Sequence, residues 1–187
     1  MATKIVVTGG PGSGKTSIIK QLADAMFKIV PEASRQLIQI ESKKQEGILP
    51  WQNLEGFASL CMEWMVHDFN KQIIKDEYLF YDRGLPDIIA YLNLQQIKPL
   101  TGLEDAISQN RYFRYVYWCP PWSEIYVNDP ERPQTYEEAK ALGLEIKQTY
   151  QKYLYEVVEV PKVSVQLRVK FILENLKEVT SKHKKSR

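Results

Sequence analysis

The chain has 187 residues, 44% of them hydrophobic and 26% charged, which is enough for one sizeable core and excludes a disordered chain or two ordinary domains. No apolar run approaches the ~18–20 residues that span a bilayer, two cysteines (Cys61 and Cys119) exclude a disulfide scaffold, and two histidines leave no His/Cys cluster for zinc or copper. The net charge is +2, but the last six residues hold four cations and no acid, so the remaining body carries −2, which argues against a broad surface for duplex nucleic acid.

Residues Met1–Lys4 run straight into a strand-like stretch, so no cleaved leader is expected, and cysteine usage points to a reducing, cytoplasmic setting. Lys4–Thr8 reads as a short buried strand, followed by a helix from Ser17 to Met26 with Ile18, Ile19, Leu22, Ala23 and Met26 on one face. Phe27–Val30 is a second strand, ended by Pro31, and Glu32–Gln45 reads as helix. The longest helical pattern runs from Gln52 to Lys75, where apolar residues from Leu54 to Ile73 recur at spacings of three and four. Tyr78–Tyr81 is a third strand closing on Asp82-Arg83-Gly84, with a short helix over Asp87–Leu94. Arg114–Cys119 is a fourth strand, stopped by Pro120-Pro121. Pro130 and Pro133 then keep 128–135 irregular. Tyr136–Tyr155 is helical, Glu156–Val160 is a fifth strand, and Val165, Val169, Ile172, Leu176 and Val179 mark a last helix with Ser164 as its expected N-cap. Trp51, Phe57 and Trp64 read mostly as core, with stacking on a ring as the alternative.

Strands alternating with helices predict one α/β domain over 1–187: a mostly parallel sheet with helices on both faces. In such sheets ligands sit beyond the carboxyl ends of the strands, and the unusual residues fall there. Gly9-Gly10-Pro11-Gly12-Ser13-Gly14-Lys15-Thr16 matches G-x-x-x-x-G-K-[ST] between the first strand and the first helix. Glycines let successive N–H groups wrap one anion, and the helix N-terminus adds a favourable dipole. Lys15 supplies a point charge for the β- and γ-phosphates, and the Thr16 hydroxyl is a ligand for Mg²⁺. Gly9 through Thr16, with Ser17 next to them, are therefore the expected nucleotide-binding residues.

Asp82 is the candidate second carboxylate near the metal, with Arg83 beside it for phosphate or substrate; the alternative is a simple turn with a surface ion pair. Glu32 follows the second strand and is placed to take a proton from an attacking hydroxyl, with Arg35 one helical turn along; the alternative is a carboxylate that only complements its own helix dipole. Arg132, in the polar segment before a helix, is the expected lid arginine, with the lid at about 128–140; the alternative is an ordinary solvated connection. The basic tail 182–187 reads as a solvated helix end.

These pieces, together with Val160-Pro161, Ser164-Val165 and Arg168, fall in one order along most of the chain. That order resembles the AAA-like P-loop ATPase/kinase family that includes the nicotinamide-riboside kinase domain of bacterial NAD-biosynthesis regulators. It is also similar to the phosphoinositide- and GTP-binding translocation-defect proteins of eukaryotes. The resemblance implies a three-layer P-loop fold close to nucleoside and nucleotide kinases, with strand order 2-3-1-4-5. It further implies a nucleotide on the Gly9–Thr16 loop, an acceptor pocket near Glu32 and Arg35, and a lid at Arg132.

The first functional expectation is a kinase acting from Mg-ATP on a small hydroxyl acceptor such as a nucleoside. In it Lys15, Glu32, Asp82 and Arg132 carry catalysis, Glu32, Arg35 and Arg83 meet the acceptor, and Thr16 and Asp82 hold Mg²⁺. The second is a switch that binds and hydrolyses an NTP, GTP included, and contacts a lipid or protein partner. No Asn-Lys-x-Asp motif reads guanine, and no specific nucleic-acid partner is expected.

Overall fold

The computed structural model describes residues 2–71, 78–127 and 135–185, with side chains to residue 181. Strands β1 (Thr3–Gly9), β2 (Lys28–Val30), β3 (Tyr78–Asp82), β4 (Tyr115–Cys119) and β5 (Glu156–Glu159) form one sheet. Its order is β2-β3-β1-β4-β5, and every pair is parallel. This is the order that the family resemblance implies.

The central strands β1, β3 and β4 lack polar alternation because both of their faces are buried. Alternate residues feed two cores. Val6, Leu79, Tyr81, Val116 and Trp118 face helices α2 (Ala33–Glu41), α3 (Leu54–Lys71), α4 (Leu85–Leu94), α5 (Leu103–Gln109) and α6 (Tyr136–Lys152). Ile5, Val7, Phe80, Tyr117 and Cys119 face α1 (Lys15–Asp24) and α7 (Val165–Lys185). The result is three layers, α/β/α. Among the described residues no helix is long and apolar enough to cross a membrane.

Several boundaries differ from the sequence reading. Helix α2 stops at Glu41, whose carboxylate accepts the Ile48 N–H at 3.0 Å and folds the chain back on itself. Residues 72–75, expected as helix, lie outside the described residues. Helix α4 starts two residues early, at Leu85, because Asp87 sits at its third position and caps it: the carboxylate accepts the Gly84 N–H at 3.0 Å. Helix α5 is unannounced in the sequence; at seven residues it is too short to show a period. Helix α6 ends at Lys152, where Leu154 turns to φ 62° and the Tyr155 N–H returns to the Tyr150 carbonyl. Trp51 is exposed, Phe57 is buried and Trp64 packs at the edge of the core.

Candidate functional site

All five strands point their carboxyl ends at one edge, and the Gly9–Thr16 segment joins β1 to α1 there. A cleft of about 180 Å³ opens above it, lined by Pro11 to Thr16, by Glu32 and Arg35 from the β2 end, and by Ile125 and Val127 from the segment after β4. The loop and the Glu32/Arg35 pair therefore share one space. Gly12 has φ 68°, and a Cβ there would stand 2.4 Å from the Tyr126 ring, which pairs edge-on with Tyr136 at the start of α6. Gly10 lies against the α6 backbone: a Cβ would stand 2.4 Å from the Ala139 carbonyl.

Lys15 is buried, and its ammonium donates to the Gly10 carbonyl at 3.3 Å. Burial, and then the Arg83 charge, bring its pKa down to about 8; Asp82, Glu32 and Cys119 oppose the shift. The folded protein thus binds fewer protons at Lys15 than the unfolded chain between pH 8 and the ordinary 10.5. This group's penalty on stability is full below pH 8 and is relieved as pH rises through that window. A phosphate contact made by Lys15, as the sequence leads one to expect, would need the protonated form, so Mg-ATP affinity is expected to hold to about pH 7.5 and fall by up to ~10-fold per unit above pH 8. Calorimetry from pH 7 to 9.5 checks this; a flat profile would remove Lys15 from phosphate contact.

Glu32 sits at the N-terminus of α2, 4% exposed. Arg83 Nε at 2.9 Å and Ser34 Oγ at 2.7 Å donate to its Oε1, and Arg35 Nε forms an ion pair with its Oε2 at 3.4 Å. Arg35 stays partly open to the cleft, whereas Arg83 is turned inward. Arg83 adopts φ 74° at the end of β3, a left-handed turn that carries its side chain under the strand ends. Its Nη1 donates to Asp87 Oδ1 at 2.9 Å, and its Nη2 has no hydrogen-bond partner among the described residues. Burial opposes the Arg83 charge, but Tyr91, Glu32, Asp87 and Asp82 outweigh it and hold its pKa above the ordinary value. Asp82, one residue earlier and paired in register with Val7, is buried beside a void of about 10 Å³ lined also by Met65, Asp68 and Tyr81. That is room for a single water.

Asp87 is the functional-site neighbour that sequence reasoning missed. It accepts from Thr8 Oγ1 at 2.6 Å, Tyr150 Oη at 2.7 Å, Arg83 Nη1 at 2.9 Å and the Gly84 N–H at 3.0 Å. One carboxylate thereby ties the ends of β1 and β3 to α4 and α6. Asp87→Asn turns an acceptor atom into a donor among four donors and strips Arg83 of one charge partner. A loss of about 3 kcal/mol is expected, against about 1 kcal/mol for Tyr150→Phe. Urea titration followed by circular dichroism compares them, and equal small losses would deny Asp87 its role as hub. Its signal in the sequence was its position three residues after Gly84, where a capping carboxylate belongs.

Arg168 was noted in the sequence without a role. It rises from α7 beneath the phosphate loop, 1% exposed, and donates from both Nη1 and Nη2 to the Ser13 carbonyl at 3.1 Å. Arg132 and the rest of 128–134 lie outside the described residues; 136–140, which the expected lid included, are the first turn of α6, capped by Thr135 and Glu138. The side chains of the basic tail, 182–187, also lie outside them.

Thr16 lines the cleft, whereas Asp82 lines the small void beyond it; both carry hard oxygen donors, the chemistry that Mg²⁺ prefers. Among the described residues no group of three or more His, Cys, Asp or Glu side chains could hold a metal by itself.

A parallel sheet in the order 2-3-1-4-5 with a glycine-rich loop between its central strand and first helix is the P-loop kinase fold. The chain belongs to a family of AAA domains, which matches residues 4–168. Among solved structures it is similar to deoxyadenosine kinase from M. mycoides with dATP bound (TM-score 0.61, 16% identity, 94% of this chain and 99% of that one). It is similar to NadR in complex with NR (TM-score 0.67, 15% identity, 95% of this chain and 51% of that one). Shikimate kinase from Aquifex aeolicus is a third (TM-score 0.57, 16% identity, 95% and 98%). At these identities the likeness is one of fold. A comparison with curated protein sequences finds no match.

Proposed function

We propose that this protein is a P-loop kinase that transfers the γ-phosphoryl group of Mg-ATP to a small hydroxyl acceptor such as a nucleoside. The observation that carries the reading is the shared cleft: a buried carboxylate, Glu32, lines the same space as the phosphate loop. A switch that only binds and hydrolyses a nucleotide has no acceptor and needs no base there. The NR complex of NadR and the dATP complex of deoxyadenosine kinase, on the same fold, support a nucleoside-like acceptor.

In this reading the backbone N–H groups of the Gly9–Ser17 segment, other than Pro11, which has none, cradle the phosphates, and the Lys15 ammonium leaves the Gly10 carbonyl for the β- and γ-phosphates. Thr16 and Asp82 hold Mg²⁺, which neutralises phosphate charge when bound with the nucleotide. Arg83 fixes the Glu32 carboxylate from below, and Arg35, on the open side, orients the acceptor. Glu32 takes the proton of the attacking hydroxyl as its oxygen bonds to the γ-phosphorus and the bond to the β,γ-bridging oxygen breaks. Arg132 closes over the transferring group as the lid.

The test is transfer of labelled γ-phosphate from ATP, and in parallel from GTP, to a panel of nucleosides and small polyols. One or more phosphorylated acceptors are expected. Slow release of free phosphate with no labelled acceptor would replace the kinase by the NTP switch.

A further inference from the structure

Arg168 presents a problem of charge. Its guanidinium is buried, yet among the described residues it makes no ion pair. Its partners are one carbonyl, Ser13 O, and the face of Trp122, 5.8 Å from the ring centroid; its Nε has no hydrogen-bond partner. A buried cation without a counter-ion is strongly disfavoured, and a neutral apolar side chain would fill the position between Val165 and Val169 more cheaply. The surroundings are also shaped around it: a Cβ on Gly14 would stand 2.6 Å from Arg168 Nη1 and 3.0 Å from Ile125 Cδ1.

The carbonyl that Arg168 holds belongs to the peptide unit whose other end is the Gly14 N–H. That unit is planar, and in the trans form its C=O and N–H point in opposite directions. Two charge-assisted donors on the oxygen fix the plane and draw electron density toward the oxygen, which strengthens the N–H as a donor. The N–H then points away from Arg168. We propose that Arg168 is a positioning residue of the phosphate loop: from beneath, it locks and polarises the Ser13–Gly14 peptide so that its N–H is presented to a polyphosphate. The anion is at the same time the charge that offsets the buried guanidinium through the loop. The proposal rests on the nucleotide-binding reading above and adds a second buried cation, on the opposite side of the loop from the cleft-lining Lys15.

The experiment measures binding of two probes, Mg-ATP and inorganic tripolyphosphate with Mg²⁺, by calorimetry, with the melting temperature of each free protein. Binding by the unmodified protein comes first: if it binds neither probe, the nucleotide reading and this proposal both fall. Given binding, Arg168→Gln, which keeps one donor without the charge, is expected to weaken both probes by the same factor, about 10-fold or more. Its free melting temperature should stay the same or rise, since an uncountered charge has been removed. Arg168→Lys, which keeps the charge on a single donor, should fall between the two. An unchanged affinity in Arg168→Gln overturns the proposal. So does a loss confined to Mg-ATP, which would put Arg168 on the base side of the site. A lowered melting temperature with unchanged affinities would make it a strut. Should Arg168→Gln not fold, a folded Arg168→Lys with unmodified tripolyphosphate affinity overturns the proposal as well.

Discussion

Glu32→Gln is expected to leave Mg-ATP affinity within a few-fold of the unmodified protein and to lower acceptor phosphorylation by ~10²–10⁴-fold, the usual worth of a positioned general base. Glutamine keeps the size of the side chain and an oxygen that accepts from Arg83 and Ser34, as the carboxylate does at 2.9 and 2.7 Å. It cannot take a proton at neutral pH. Because Glu32 belongs to a buried pair with Arg83, some loss of fold stability accompanies the substitution, so rates must be compared well below the melting temperature. The split between turnover and binding is the diagnostic. A carboxylate that only started its helix would leave both unchanged. Turnover that survives Glu32→Gln at full rate would return Glu32 to that lesser role.

Lys15→Met is expected to move binding and stability in opposite directions. Binding of Mg-ATP should weaken by at least ~100-fold, since the charge-assisted contacts to two phosphates are lost together. The free protein should melt higher. Its ammonium is buried and its pKa is depressed to about 8, so at neutral pH the charged form is held against its preference, and methionine fills similar volume without the charge. Calorimetry and thermal melts on the same preparations settle both halves. A variant that binds normally would leave the loop without a function. One that binds poorly and also melts lower would make Lys15 a structural cation.

Much of the frame was legible because its signals are local. The phosphate loop is eight consecutive residues between a β-branched strand and an amphipathic helix, and the strands end on proline or on Asp-Arg-Gly. What stayed hidden depends on contacts far apart in sequence. Asp87 meets Thr8 across 79 residues and Tyr150 across 63. Arg168 meets Ser13 across 155. Local spacing says nothing about such pairs. A weak signal did exist for Arg168: it interrupts the apolar stripe of α7 next to Val169, where a charge has no solvent to reach. The inward turn of Arg83 was hidden for another reason. A left-handed arginine leaves no mark in composition, and an outward ion pair would read the same.

That turn has a consequence for how the protein tolerates change. A non-glycine residue in the left-handed region carries roughly 1–2 kcal/mol of backbone strain, and here φ is 74° at Arg83. Glycine would relax the backbone but would also take the guanidinium away from Glu32 and Asp87, two buried carboxylates that it meets at 2.9 Å, a loss of about 3–5 kcal/mol that exceeds the strain relieved. Heat resistance and turnover therefore select in the same direction at this position. A laboratory lineage evolved only for thermal survival should keep arginine at residue 83 in spite of its strained backbone.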